Sequence, residues 1–451
     1  MDVLTLARAQ FALTIGFHYI FPPLSIGLGL LLVIMEGTYL RTGKPLYHAM
    51  TRFWVRIFGL VFAIGVASGI VMEFQFGTNW AWYSRFVGDI FGSALAAEGI
   101  FAFFLESGFL ALLLFGWDRV SARTHFFSTV MVFLGSVFSA VWIIVANSWQ
   151  QTPAGYHLVE TAVGTRAEIT SFWAAVLNPS TLDRLSHVLV AAFQTAAFFV
   201  ISVGAYYLLK KRHEGFDKFS IKIGLVVALF ASLLQLVTGH SSGVMLASHQ
   251  PAKLAAFEGH YEASAPAPLH LFGWVNEAGQ RVEYSVSIPG MLSWLVWGDT
   301  QKPVTGLEAF RPEDRPPVNL VFQTYHLMVA IGFALIGLSL LGMVLWLRGT
   351  LFQKRWLLWI YVFSVALPQM ANQLGWLSAE VGRQPWIVYG LLRTRDGLSR
   401  VVSAGQTLAS LVLFAFVYLL LLALFLYLLD HKIKQGPVEE EMEMGQEGAR
   451  A

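Results

Sequence analysis

A chain of 451 residues that is 56% hydrophobic and only 13% charged lacks the roughly 25% charged residues of a soluble domain, and its 36 Phe and 15 Trp point to lipid as the main solvent. Its formal net charge of +2, with basic residues in short clusters between apolar runs, gives no reason to expect a nucleic-acid partner. There is no cysteine, which excludes disulfides, thiolate-held clusters or copper, and covalently attached haem, so any metal must be held by His, Met or carboxylate.

Crossing a hydrocarbon core takes about 20 helical residues. Runs of that kind predict nine spans, at roughly 14–35, 54–75, 92–116, 125–146, 186–208, 219–240, 319–346, 356–376 and 406–429. The expected fold class is therefore an all-α integral membrane protein built as helical bundles. The first ten residues lack the basic stretch and cleavage site of a secretory signal, so the first run is read as a retained span. Sixteen Lys and Arg residues fall in short segments on one side, among them Arg41, Arg56, Arg119, Lys211, Arg348 and Lys434. That side is cytoplasmic by the positive-inside rule, leaving the N-terminus outside and the C-terminus inside. Arg383, Arg393, Arg395 and Arg400 break the rule: either it fails there or something anionic holds them. Residues 1–436 are expected to form one transmembrane domain, with 241–318 as its longest outer loop. Residues 437–451 read as a disordered acidic cytoplasmic tail.

Ionisable groups inside a bilayer are costly, and function is the usual reason for keeping them. His18 opens span one, Glu98 and Glu106 lie in span three, His187 opens span five, His326 and Met328 open span seven, and Glu380 follows span eight. On the expected topology His18, His187, Met328 and Glu380 share one depth near the outer face, which suggests metal cofactors. Taken singly, each has a blander reading: an interfacial hydrogen-bonder, a core methionine, a helix cap. Glu98 and Glu106 stand about 12 Å and 80° apart on a helix and are candidates for a proton path, which Ser139 on span four could extend. The alternative for the two acids is a helix–helix hydrogen bond. This pattern fits a respiratory oxidase or reductase better than a proton-coupled transporter.

The blocks RAQFALTIGFHYIFPPLSIG, GTNW, GDIFGSALAAEGIFAFFLES, FGWDR, ANSWQQTPAGY, HQPAKLAAFE and EVGRQPW run through spans one to eight. In this order they resemble the signature blocks of subunit I of the cytochrome bd quinol oxidases. The resemblance implies a membrane subunit of a terminal oxidase that reduces oxygen to water with quinol and builds a proton gradient without pumping. It also implies three haems: a low-spin haem b held by His187 and Met328, and two more, a haem b and a haem d or third haem b, held by His18 and Glu380. Trp376, Arg383 and His326 would surround them, and many members carry Arg where this chain has His326. Gln250, Lys253 and Glu258 match quinol-loop positions, of the short-loop type, and Glu98 and Glu106 match acids assigned to proton delivery. A second membrane subunit, a small single-span accessory chain and a bacterial or archaeal cytoplasmic membrane are implied as well. The rival readings are a haem-binding electron-transfer subunit and a proton-coupled transporter. A haem–copper oxidase is disfavoured, because the His residues are too sparse.

Overall fold

The computed structural model describes residues 2–437, so the expected acidic tail lies, beyond Pro437, outside the described residues. Asp2 caps α1 (Val3–His18), its carboxylate accepting from the Thr5 amide at 2.7 Å. α1 stops at His18, and Pro22 and Pro23 open α2 (Pro22–Thr42), because proline has no amide hydrogen for a helix interior but is at home in a first turn. Gly43, at φ +66°, ends α2 in the left-handed region that glycine adopts without strain. After α3 (Pro45–Thr78) comes α4 (Ala81–Glu98), which runs through a π-helical segment at Gly99–Phe103 into α5 (Phe104–Phe115). Ser121 caps α6 (Ala122–Gln151).

A hairpin of β1 (Tyr156–Thr161) and β2 (Gly164–Ile169), then the short α7 (Phe172–Val176), lead to α8 (Thr181–Lys210) and α9 (Phe216–His249). The long segment that follows holds α10 (Pro251–Glu258), the hairpin of β3 (Leu269–Asn276) and β4 (Arg281–Ile288), and α11 (Met291–Trp297). α12 (Val318–Leu347) returns to the bundle. α13 (Arg355–Phe363) and α14 (Ala366–Val381) follow, then a small hairpin of β5 (Trp386–Val388) and β6 (Leu392–Arg393). α15 (Ala404–Gln435) starts with a reciprocal capping box between Ser403 and Gln406.

Among the described residues eight helical stretches are long and apolar enough to cross a membrane, α1 and α2 counting as one. The ninth expected run, 356–376, is two shorter helices that meet at Ser364 and Val365, with Pro368 in the first turn of the second. Helices overrun the apolar stretches that predicted them: α3 starts at Pro45 and α9 ends at His249, so the segment between α9 and α12 is 250–317, against the expected 241–318. α8 is the most enclosed of the spans and α15 the least. Close approach at the centre depends on small residues: a Cβ on Gly27 of α2 would lie 2.2 Å from the Ala192 carbonyl of α8.

His18 ends the 16-residue α1. His187 lies six residues into α8, about 9 Å, and Glu380 one residue from the end of α14.

Candidate functional site

A cavity of about 790 Å³ opens among α1, α3, α4, α6 and α14. His18, Glu98, Glu106, Trp376, Glu380 and Arg383 all line it. His18 Nδ1 is 3.0 Å from Ser68 Oγ, whose single proton already faces the carbonyls of Ile64 and Gly65. Ser68 therefore accepts from His18, which puts the imidazole proton on Nδ1 and leaves the Nε2 lone pair available to a metal. A Cβ on Gly69 would press within 3.2 Å of the His18 ring. Tyr19 meets Trp376 edge-on, centroids 5.2 Å apart.

At the other end of the cavity, Glu380 Oε1 accepts from Asn147 Nδ2 at 3.1 Å and Gln151 Nε2 at 3.2 Å, and its Oε2 accepts from Arg383. Arg184 donates to Asn147. The four arginines that break the positive-inside rule each have a partner: Arg383 pairs with Glu380, Arg393 with Asp314, Arg395 with Asp396 at 3.6 Å, and Arg400 lies 4.2 Å over the Trp82 ring. Arginines committed to acids and rings in the fold do not weigh in the positive-inside rule as free loop charges do.

His187 and Met328 sit on α8 and α12, both of which pack on α9 and α14. His187 Nδ1 is 3.1 Å from Thr238 Oγ1, and its Nε2 is 2.9 Å from the Gln235 amide nitrogen. Gly375 faces Met328, where a Cβ would stand 3.0 Å from the sulfur. His326 is occupied elsewhere: Nδ1 faces the Phe322 carbonyl at 2.9 Å and Nε2 the His270 carbonyl at 2.8 Å, tying α12 to β3.

The two acids of the third span each meet a hydroxyl of α6. Ser136 donates to Glu106 and Ser139 to Glu98, both at 2.5 Å. In a regular α-helix the eight positions between the acids leave them about 80° apart. The π segment adds one residue without adding a turn, which brings that offset to about 20° and turns both carboxylates toward α6.

Nearer the N-terminal end of α6, and overlooked in the sequence, is a third buried acid. Glu36 of α2 lies 2.6 Å from His125 Nδ1 and accepts from Thr129 Oγ1 at 2.5 Å. His125 Nε2 faces the Leu113 carbonyl and must donate, so one further proton is shared between imidazole and carboxylate. His125, Thr129, Ser136 and Ser139 fall within about 80° on α6. That polar stripe was visible in the sequence; Glu36 escaped notice because it stands just past the first apolar run.

The quinol-loop candidates are not exposed. Gln250, Lys253 and Glu258 are 1%, 2% and 2% accessible, beneath a cluster that includes Leu254, Phe257, Tyr261, Leu292 and Phe322. Lys253 Nζ donates to Gln151 Oε1 at 2.9 Å and Gln250 Oε1 at 3.3 Å. Burial, reinforced by Arg184 and Arg383, holds its amine well below the usual lysine range against the pull of Glu380. Glu258 points the other way on α10, toward Tyr325, and burial pushes its carboxyl up to about 8. The structure does not bring Lys253 and Glu258 into one constellation.

The family model for cytochrome bd terminal oxidase subunit I matches residues 6–437. The chain belongs to that family. It is 39% identical over 446 residues to the cytochrome bd ubiquinol oxidase subunit 1 of Bacillus subtilis, covering 97% of this chain and 94% of that one. It is 37% identical over 516 residues to the cytochrome bd-II ubiquinol oxidase subunit 1 of Escherichia coli, covering 99% and 100%. The solved bd oxidase from Geobacillus thermodenitrificans superposes with a TM-score of 0.90 at 30% identity, over 97% of this chain and 99% of that one. As a bd oxidase subunit I, the chain is part of a quinol:oxygen oxidoreductase, works with a subunit II, and has haem as its cofactor class.

The residues of the bd subunit fit such a group. Arg383 Nε and Nη1 and Arg184 Nε are buried without hydrogen-bond partners, which is costly and suits anionic propionates. The cavity lies within the roughly 300–1,000 Å³ range of cofactor sites. His18 keeps a free nitrogen lone pair, and Glu380 carries its own compensating arginine.

Proposed function

We propose that this chain oxidises quinol on the outer side of a bacterial cytoplasmic membrane and reduces oxygen to water within the cavity described above. In this reading His187 and Met328 hold a low-spin haem b, and His18 and Glu380 hold two further haems, one of type b and one of type d or b. The haems supply electron transfer and the oxygen-binding iron. Everything else is done by side chains of the chain itself. The observation that carries the reading is the single cavity that contains His18 and Glu380 together with Glu98 and Glu106.

Glu106 and Glu98 deliver protons from the cytoplasmic side, each steadied by one α6 hydroxyl. An ionised acid at mid-bilayer costs about 3 kcal/mol even on lenient scales, and a delivery role accounts for keeping two. Glu36 and His125 precede them as the inner donor. About 10 Å of α6 separates Thr129 from Ser136, a step that needs bound water. Quinol protons leave outside while the consumed protons come from inside, so charge is separated without a pump. Nine spans, with the N-terminus outside and a small accessory chain beside subunit II, complete the proposal.

The ligand assignment is tested by Met328→Leu, which keeps volume and removes the sulfur. The low-spin bands of the reduced spectrum should give way to a high-spin form with a lower midpoint potential, since Met ligation raises it. Unaltered low-spin bands would put the ligand elsewhere.

A further inference from the structure

One buried amide joins the outer segment to the Glu380 end of the cavity. Gln151, the last residue of α6, is 1% accessible. Its Oε1 accepts from Lys253 at 2.9 Å, its Nε2 donates to Glu380 Oε1 at 3.2 Å, and its backbone carbonyl accepts from Gln250 Nε2 at 3.0 Å. The Lys253 stem also packs against the turn after Glu380, where a Cβ on Gly382 would lie 3.1 Å from Lys253 Cγ.

We propose that Gln151 is a positioning residue that couples the quinol segment to the Glu380 haem site, holding Lys253 with its oxygen and Glu380 with its nitrogen. This rests on the reading above, in which Lys253 serves quinol and Glu380 serves a haem. The chemistry singles out an amide. A donor and an acceptor must stand two bonds apart, facing an amine on one side and a carboxylate on the other, and neither end can turn round without losing both contacts. A carboxylate at 151 would keep the Lys253 contact and repel Glu380. An apolar side chain would satisfy neither and leave Lys253 buried with only Gln250.

The amide also explains how two sites on different elements stay in register. α10 is not bonded to α14 through its backbone; Lys253 and Gln250 are bound to the end of α6, and Glu380 is bound to the same turn through Asn147 and Gln151. A displacement of Lys253 on quinol binding reaches Glu380 through this side chain, beside the packing of the Lys253 stem on Gly382.

The test uses the purified oxidase complex with two variants and three readouts: quinol KM and kcat, the high-spin haem bands with their midpoint potential, and the low-spin bands as control. Gln151→Met should raise quinol KM about tenfold, the worth of one charge-assisted hydrogen bond. It should shift the high-spin bands and potential together with KM, with the low-spin bands unmoved. Gln151→Glu should bring KM back near wild type while the high-spin shift persists or grows. If Gln151→Met moves only one of the two sites, or if Gln151→Glu restores both or neither, the coupling is wrong. Should both variants lose haem, Lys253→Met is read instead: it must shift the high-spin potential, and an unmoved potential overturns the proposal. Glu380→Gln separates the failures. If it alters the high-spin bands and Gln151→Met does not, the bridge falls and the ligand stands; if neither does, both fall.

Discussion

The outer segment and the α6 stripe both bury ionisable groups, and they do it in opposite ways. The hydrogen-bond partners of Lys253 and Glu380 are amides and a guanidinium: Gln151 and Gln250 hold the amine, and Asn147, Gln151 and Arg383 hold Glu380. Along α6, Glu98 and Glu106 each have one hydroxyl. A hydroxyl rotates and can donate or accept, whereas an amide has fixed ends. On the proposed reading the first region keeps charges in place and the second lets protons move. Buried charge alone therefore does not say what a site does; the rotational freedom of its partners does.

The strongest way to break this comparison is Glu106→Gln, which swaps a mobile acid for a fixed amide of the same shape. Oxygen consumption should fall by about 100-fold or more, the range for losing a positioned proton donor, with the low-spin haem still reducible by quinol. Internal alkalinisation in proteoliposomes should fall in step. Normal turnover with normal charge separation would remove Glu106 from the path.

Glu36→Gln probes whether the stripe extends inward. A smaller loss of about tenfold is expected, because water can reach Glu106 by other routes, and haem spectra should not change. An unchanged rate would make the Glu36–His125 contact a helix clamp only.

The smallest effect sharpens the outer half. The Glu258 carboxyl is pushed up to about 8 by burial, so in its proposed role it takes up a quinol proton only once ionised. Between pH 6 and 8, kcat/KM for quinol should rise by up to about tenfold per unit, then level off. In Glu258→Gln the rise should vanish. A rise that persists in that variant would assign the titration to another group.

Much of the architecture was legible because hydropathy acts over whole helices: the apolar runs, their order and the bundle class follow from composition. Local breaks were harder. The α1–α2 interruption is written in Pro22 and Pro23, but the run between 14 and 35 hides it from a sliding average. The π segment left no signal, since Gly-Ile-Phe-Ala-Phe suits an α-helix equally well, and only the pull of Ser136 and Ser139 from α6 distinguishes the two. The candidate ligands and acids stood out as polar residues in an apolar medium. Their partners did not, because Ser68, Asn147 and Gln151 are ordinary residues made specific by contacts far along the chain. The burial of α10 was least visible: Lys253 and Glu258 carry charge in a segment outside the apolar runs, and their cover comes from residues up to Phe322.

The cavity that joins His18 and Glu380 to Glu98 and Glu106 has an electrical consequence. On the proposed orientation, an electron coming from the outer segment must travel inward to reach it, crossing part of the membrane's insulating thickness. A proton coming from the cytoplasm crosses the remainder in the opposite direction. Negative charge moving in and positive charge moving out add, so the two partial crossings make one full elementary charge per electron wherever along the normal they meet. Each full crossing stores about 2.3 kcal/mol per 100 mV. The oxygen site is thus free to sit at whatever depth suits gas access and iron ligation, with the energetic yield of turnover unchanged.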